Sequence, residues 1–159
     1  MYKNIIFSFL LIFFSCDSNI EFINYNSVNG SWHKDSIQDF SFELNHLQDE
    51  EYKTYINLRI NNNYKFSNIF LIVALSDSLN IITRDTLHFT LADKSGRFLG
   101  DKRINLFENS LLHKENISLE NNIKYYVSIE HAMRVINKVG GLEYLNGIVD
   151  VGYKVEKIK

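Results

Sequence analysis

Hydrophobic and polar residues alternate along much of the chain. Phe40, Phe42 and Leu44 alternate with Ser41 and Glu43; Thr54, Ile56, Leu58 and Ile60 alternate with Tyr55, Asn57 and Arg59. The same rhythm returns at Leu87, Phe89 and Leu91, at Ile123, Tyr125, Val127 and Ile129, and at Val149, Val151, Tyr153 and Val155. A period of two puts one set of side chains on a buried face and the other in water, which is the signature of a strand. Ile69 to Leu75 is apolar on both faces, so it is expected to be a central strand covered on both sides; its β-branched and aromatic residues favour strand over a short buried helix. Turn-forming clusters separate these runs: Asn61-Asn62-Asn63, Asp77-Ser78, Asp93-Lys94-Ser95-Gly96, Glu120-Asn121-Asn122 and Gly140-Gly141. Only Met133 to Tyr144 has room for a helical turn, and its glycines cut that short. The pattern predicts an all-β domain over residues 31–159, an antiparallel β-sandwich that is jelly-roll-like.

The N-terminus follows a different rule. After Lys3, Ile5 to Phe14 is apolar apart from Ser8, and Ser15-Cys16-Asp17 follows. As a helix this run is about 15 Å long, half of a bilayer core of about 30 Å, so it reads as a secretory signal rather than a span. The small Ser15 before the chain's one cysteine gives it the form of a lipoprotein signal peptide, with residues 1–15 removed and Cys16 lipidated and acylated, palmitate being a fitting chain. Phe13 and Phe14 are bulkier than the usual residues at those places. One acyl chain anchors marginally; two or three anchor for good. Residues 16–30 are polar and asparagine-rich, and are expected to be a lipidated, flexible tether.

Composition narrows the function. The chain has 159 residues, 45% of them hydrophobic, so it suits one globular domain. A net charge of -2 argues against nucleic acid as a partner, and a single cysteine excludes an intrachain disulfide. His33, His46, His88, His113 and His131 form no metal-ligand pair, and no GxSxG, Walker or GxGxxG motif is present. No enzyme activity and no cofactor is therefore expected. Glu130, His131 and Asp150 can be drawn as an acid–base set, but an ion pair of Arg134 with Glu130 or Asp150 is the simpler expectation. Trp32 and His33 are either a surface contact for a glycan or partner protein, or a plug in the open end of the sandwich. Asp77-Ser78-Leu79, in a predicted turn, resembles a short O-glycosylation motif of some gliding bacteria.

Several stretches, taken in order, carry a family likeness. They are Asn57 to Tyr64, Ser67 to Leu71, Asp85-Thr86-Leu87, Leu91 to Gly100, Ile129 to Arg134 and Gly147 to Gly152. Together with the lipobox and Trp32-His33 they resemble the gliding-motility-associated lipoprotein family GldH, over nearly the whole mature chain. The resemblance implies a membrane-anchored, non-enzymatic accessory of the bacterial gliding and type IX secretion machinery. It implies residence in the cell envelope, at the outer membrane, with other apparatus proteins as partners; it implies no catalytic residue. The alternative is a carbohydrate-binding lipoprotein whose jelly roll stacks glycans on Trp32, Tyr55 or Tyr126.

Overall fold

The computed structural model describes residues 19–45, 50–134 and 140–158. Eleven strands follow one another: β1 (Ile20–Ser27), β2 (Ser31–His33), β3 (Gln38–Glu43), β4 (Glu50–Ile60), β5 (Asn68–Ser76), β6 (Ile81–Thr90), β7 (Asp101–Lys102), β8 (Phe107–Leu119), β9 (Lys124–His131), β10 (Tyr144–Asn146) and β11 (Ile148–Lys157). They form a five-stranded sheet in the order β1-β11-β4-β8-β7, a four-stranded sheet in the order β3-β9-β5-β6, and a ribbon of β2 with β10. All the pairings are antiparallel.

Setting aside the short β2, β7 and β10 leaves the eight long strands. In chain order they occupy one sheet as first, eighth, third and sixth, and the other as second, seventh, fourth and fifth. That order is the double Greek key of a jelly roll, as the alternation and turn spacing predict. The inward side chains of both sheets meet in one core. Phe42 of β3 stacks on Tyr125 of its own sheet at 5.4 Å, and on Phe22 at 5.2 Å and Tyr153 at 6.3 Å from the facing sheet. Aromatic side chains fill the space between sheets that lie about 10 Å apart.

Three expectations change. The polar segment read as a tether contains β1, whose residues from Ile20 to Ser27 hydrogen-bond along β11. The sandwich therefore begins at Ile20 rather than residue 31. Its asparagines misled because an edge strand needs only one buried face and a partner. Second, β8 was not foreseen. Third, β5 is central but not covered twice: Ile69, Leu71, Val73 and Leu75 are buried, while Phe70 on the other face is exposed and Ile72 and Ala74 are half-buried. Of Met133 to Tyr144, residues 135–139 lie outside the described residues and the remainder is not helical. Residues 1–15, Cys16 and His46 also lie outside the described residues.

Glycine is demanded where backbones touch. Gly147 has φ +92°, and a Cβ there would stand 2.1 Å from the Tyr64 nitrogen. Gly152 lies under the Tyr25 ring, which would be 2.6 Å from a Cβ. Neither neighbour is a flexible side-chain tip, so the first site in particular admits only hydrogen.

Candidate functional site

Polar groups gather in two networks, and a third surface is apolar. The first network lies between the sheets. His113 on β8 approaches Asp85 on β6 with Nε2 3.2 Å from a carboxylate oxygen, and Nδ1 2.9 Å from the Tyr153 hydroxyl; the Thr54 hydroxyl is 3.3 Å from Nδ1. A carboxylate only accepts, so Nε2 carries the proton and Nδ1 accepts from the Tyr153 hydroxyl. Burial pushes the His113 pKa below its ordinary value, against the pull of Asp85. Burial alone would raise the Asp85 carboxyl, but hydrogen bonds and charge from Lys114 and His113 together hold it below the usual value. Burial pushes the Tyr153 hydroxyl well up.

A histidine, a carboxylate and a hydroxyl in a row suggest catalysis until access is considered. The His113 side chain and Tyr153 are fully buried, so no substrate atom reaches the imidazole or the hydroxyl. What the cluster does is join the sheets: Asp85 belongs to the four-stranded sheet and His113, Tyr153 and Thr54 to the five-stranded one. Alternation alone does not find this cluster, because His113 occupies a position where an apolar residue would be expected.

The second network covers the outside of the five-stranded sheet. Arg59 donates from Nε to Glu108 at 2.8 Å and from Nη1 to Asp150 at 3.5 Å, and its guanidinium lies 4.1 Å from the centre of the Tyr25 ring. Arg103 donates to the second Glu108 oxygen at 3.0 Å, and Asn57 donates to the Tyr25 hydroxyl at 3.2 Å. The hydrogen bonds of Arg103 and then Arg59 hold the Glu108 pKa below its ordinary value. Tyr25, Asn57, Arg59 and Glu108 line a shallow depression of about 200 Å³.

The ion pair expected around Arg134 is not formed. Glu130 pairs with Arg84 at 3.2 Å and Asp150 with Arg59 at 3.5 Å. β9 carries Glu130 in one sheet and β11 carries Asp150 in the other, and each carboxylate takes an arginine from its own sheet. Exposed Arg134 instead stands at the rim of a groove of about 450 Å³, floored by Phe66, Phe70, Ile72 and Met133. Phe70 stacks on His88 with ring centres 4.4 Å apart. The sequence signal for this groove is the apolar outward face of Ile69 to Leu75, which the pattern alone does not distinguish from a covered face.

Trp32 is fully buried. Its indole donates to the Ser36 carbonyl at 2.7 Å, and its ring meets the edge of His131 at 5.3 Å. It is the plug, not the surface contact. His33 is half-buried, edge-on to Tyr144 at 4.7 Å and within 3.8 Å of Asp35 and 3.7 Å of Glu143. Tyr55 lies beneath the Lys154 ammonium at 4.2 Å on the five-stranded sheet, and Tyr126 beneath Lys124 at 5.5 Å on the four-stranded sheet. Trp32, buried, and Tyr55 and Tyr126, on different sheets, thus share no common stacking surface. Among the described residues no group of three His, Cys, Asp or Glu could hold a metal ion, and no helix is long and apolar enough to cross a membrane.

Residues 21–155 match the model of a family described as GldH lipoprotein. The gliding motility lipoprotein GldH of Flavobacterium johnsoniae is 38% identical over 148 residues, covering 92% of this chain and 91% of the relative. A gliding motility lipoprotein GldH homolog of Christiangramia forsetii is 38% identical over 154 residues, covering 96% and 93%. Among solved structures, a family GH115 4-O-methyl-alpha-glucuronidase superposes with a TM-score of 0.45 and 12% identity, over 89% of this chain and 17% of that one, a likeness too weak to carry an argument. With a family match across almost the whole sandwich and relatives aligned nearly end to end, this chain belongs to the GldH lipoprotein family.

Proposed function

We propose that this protein is a lipid-anchored, non-enzymatic accessory of the bacterial gliding apparatus. The observation that carries the reading is its membership of a family whose relatives, named gliding motility lipoproteins, align with over nine-tenths of the chain. A lipoprotein family places the chain at the cell envelope. Cys16 is the lipid attachment point in this reading, after removal of residues 1–15, and palmitate is among its acyl chains. The membrane is the outer one, and the partners are other gliding and type IX secretion proteins. The His113 imidazole and Tyr153 hydroxyl, buried in the core beside half-buried Asp85, support a structural rather than a chemical role.

A deletion strain tests this directly. Surface spreading is expected to be lost on deletion and restored by the wild-type gene, but not by Cys16→Ala. Metabolically supplied labelled palmitate is expected to enter the wild-type protein in the outer-membrane fraction and not the variant. Normal spreading of the deletion strain, in a species that glides, overturns the proposal.

A further inference from the structure

The place where the sandwich starts determines which end of it faces the membrane. β1 opens with Ile20 opposite Glu156, and the Lys157 amide donates to the Asn19 carbonyl at 2.8 Å. β4 opens beside it with Glu50, which pairs with Leu119 at the close of β8. The turn after Leu119 leads at once to Lys124, where β9 begins, and Tyr126 of β9 pairs with Ser76 at the close of β5. The β5–β6 hairpin tip, Asp77 to Asn80, therefore stands at the same end of the molecule as Ile20. We propose that this tip, through Leu79 and Ile81, seats in the lipid bilayer interface beside the acylated N-terminus. The inference rests on the reading of Cys16 as the lipid-bearing residue.

A short reach keeps this end of the sandwich close to the membrane. The four residues from Cys16 to Ile20 span about 13–14 Å when fully extended, so the end of β1 sits within that distance of the lipid. Had residues 16–30 been a free tether, no such limit would exist. Across the end of the sandwich, the hairpin lies two to three strand spacings along its own sheet from β3, which faces β1 across a gap of about 10 Å, so it is about 14–18 Å from the β1 edge. A sandwich standing on this end brings the hairpin tip to the surface that holds β1.

The tip is built to present apolar side chains outward. Leu79 is 88% exposed and Ile81 66% exposed, and Ile82 and Tyr126 are exposed behind them. The tip is not slack: one Asp77 carboxylate oxygen accepts from the Leu79 and Asn80 amides, both at 2.7 Å, and the Asp77 amide donates to the Asn80 carbonyl at 3.0 Å. A structured Asx turn thus fixes Leu79 away from the core. An apolar pair on a rigid tip, with an amphipathic tyrosine behind it, suits the headgroup and upper acyl region. Charge narrows the kind of surface. Asp77, Glu43, Glu51 and Glu120 stand at this end with Lys124, and Lys157 there is paired with Glu50, so carboxylates dominate. Such an end favours a zwitterionic surface and gains nothing from anionic lipid.

Ile104 supplies the internal control. It is 94% exposed, hence as apolar and as accessible as Leu79, but it lies just before Phe107, which pairs with Ile60 at the opposite end. The lipidated protein, extracted from membranes and reconstituted in phosphatidylethanolamine–phosphatidylcholine vesicles, is labelled with an environment-sensitive fluorophore at Leu79→Cys or at Ile104→Cys. Nitroxide-bearing lipids are expected to quench the label at position 79 several-fold more than at 104, with no increase when phosphatidylglycerol is added. Equal quenching at the two positions overturns the inference, as does protection of position 79 only in native membranes containing other proteins. A hexose on Ser78 of the native protein overturns it too, because a sugar there keeps the tip in water. Mass spectrometry of the N-terminal peptide separates the two failures. An unmodified Cys16 removes the anchor and the inference with it; a lipidated Cys16 with an unquenched position 79 removes the hairpin contact alone.

Discussion

At the end of the sandwich that carries Gly30, Asn61 and Gly147, loops lock backbone to backbone. The Gly147 amide donates to the Gly30 carbonyl at 2.8 Å, the Asn61 amide to the Gly147 carbonyl at 2.9 Å, and Trp32, Tyr64 and Met133 fill the space beneath. At the end that carries Asn19, Glu50 and the β5–β6 hairpin, the ties run along the strand termini: the Ile158 amide to the Glu51 carbonyl, the Asn122 amide to the Leu44 carbonyl, and the ion pair of Lys157 with Glu50. There the hairpin extends beyond the packed layer with Leu79 in the open. Among the described residues, one end is closed by interlocked loops and the other carries an exposed apolar tip. The difference is one of energetics as well as shape, and substitutions separate the two.

Trp32→Ala is expected to have the largest effect. Truncating a buried tryptophan costs about 3–5 kcal/mol, and here it also frees the Ser36 carbonyl from its indole donor. Gly147→Ala follows. A positive φ costs a non-glycine residue about 1–3 kcal/mol, and the clash with the Tyr64 backbone adds overpacking of about 1–3 kcal/mol. For a domain with about 5–15 kcal/mol of stability, either change lowers the urea midpoint sharply. Midpoints unchanged from wild type would show that the closed end does not depend on its plug or its glycine.

How much of this was readable from the chain differs between strands. β3, β4, β9 and β11 follow their alternation, since each presents a mainly apolar face to the other sheet, and β6 does so from Leu87 to Phe89, its inward Asp85 belonging to the polar cluster. β8 does not. Its pairing with β4 shifts register around Tyr52, Thr54 and Tyr55, and buried His113 takes an inward place, so the period of two is interrupted in the sequence while the strand continues in space. β1 was hidden for another reason: Asn24 and Asn26 are polar, and what makes Ile20 to Ser27 a strand is the free edge of β11 more than than its own pattern. The site fares similarly. The carboxylates Glu130 and Asp150 pair with Arg84 and Arg59 rather than with Arg134, because partners across a sheet are set by topology that spacing does not encode. Trp32 could be read from sequence only as plug or contact, and its burial decides for the plug.

Between the two ends, the Asp85–His113–Tyr153 cluster holds the flank where β6 faces β8. Tyr153→Phe removes the nearer donor to His113 and leaves its buried Nδ1 only the longer contact to the Thr54 hydroxyl at 3.3 Å, at an expected cost of about 1–3 kcal/mol. The same cluster sets a pH dependence. Burial lowers the pKa of both His113 and His131 below the ordinary 6.5. The unfolded chain then binds more protons than the folded one as pH falls below that value, so stability is full above pH 6.5 and declines below it. Asp85 and Glu108, also lowered, extend the loss at more acid pH. Urea titrations at pH 7.5 and about pH 5.5 check the sign; greater stability at the lower pH would contradict the buried, neutral histidines.

The outer network is expected to matter less than the inner one, because water competes for it. The Arg59 side chain is 34% exposed, and Glu108 keeps Arg103 when Arg59 is removed. Arg59→Ala is therefore expected to cost about 1 kcal/mol or less, and less still in high salt. A loss as large as that from Tyr153→Phe would mean that the Tyr25 ring needs the guanidinium above it to keep β1 on the sheet.

Leu79→Asp marks the other limit of the comparison. No core side chain packs on a residue that is 88% exposed, so the folded protein in solution is expected to change by about 0.5 kcal/mol or less. Ile81→Asp should behave alike. A thermal melt of each variant beside Trp32→Ala reads the contrast directly: a large shift from the buried ring at one end, almost none from the apolar tip at the other. Equal shifts would mean that the hairpin tip belongs to the core after all, and that its apolar residues serve the fold. A silent melt leaves those residues with no work inside the sandwich, which is the condition for assigning them to a surface outside it.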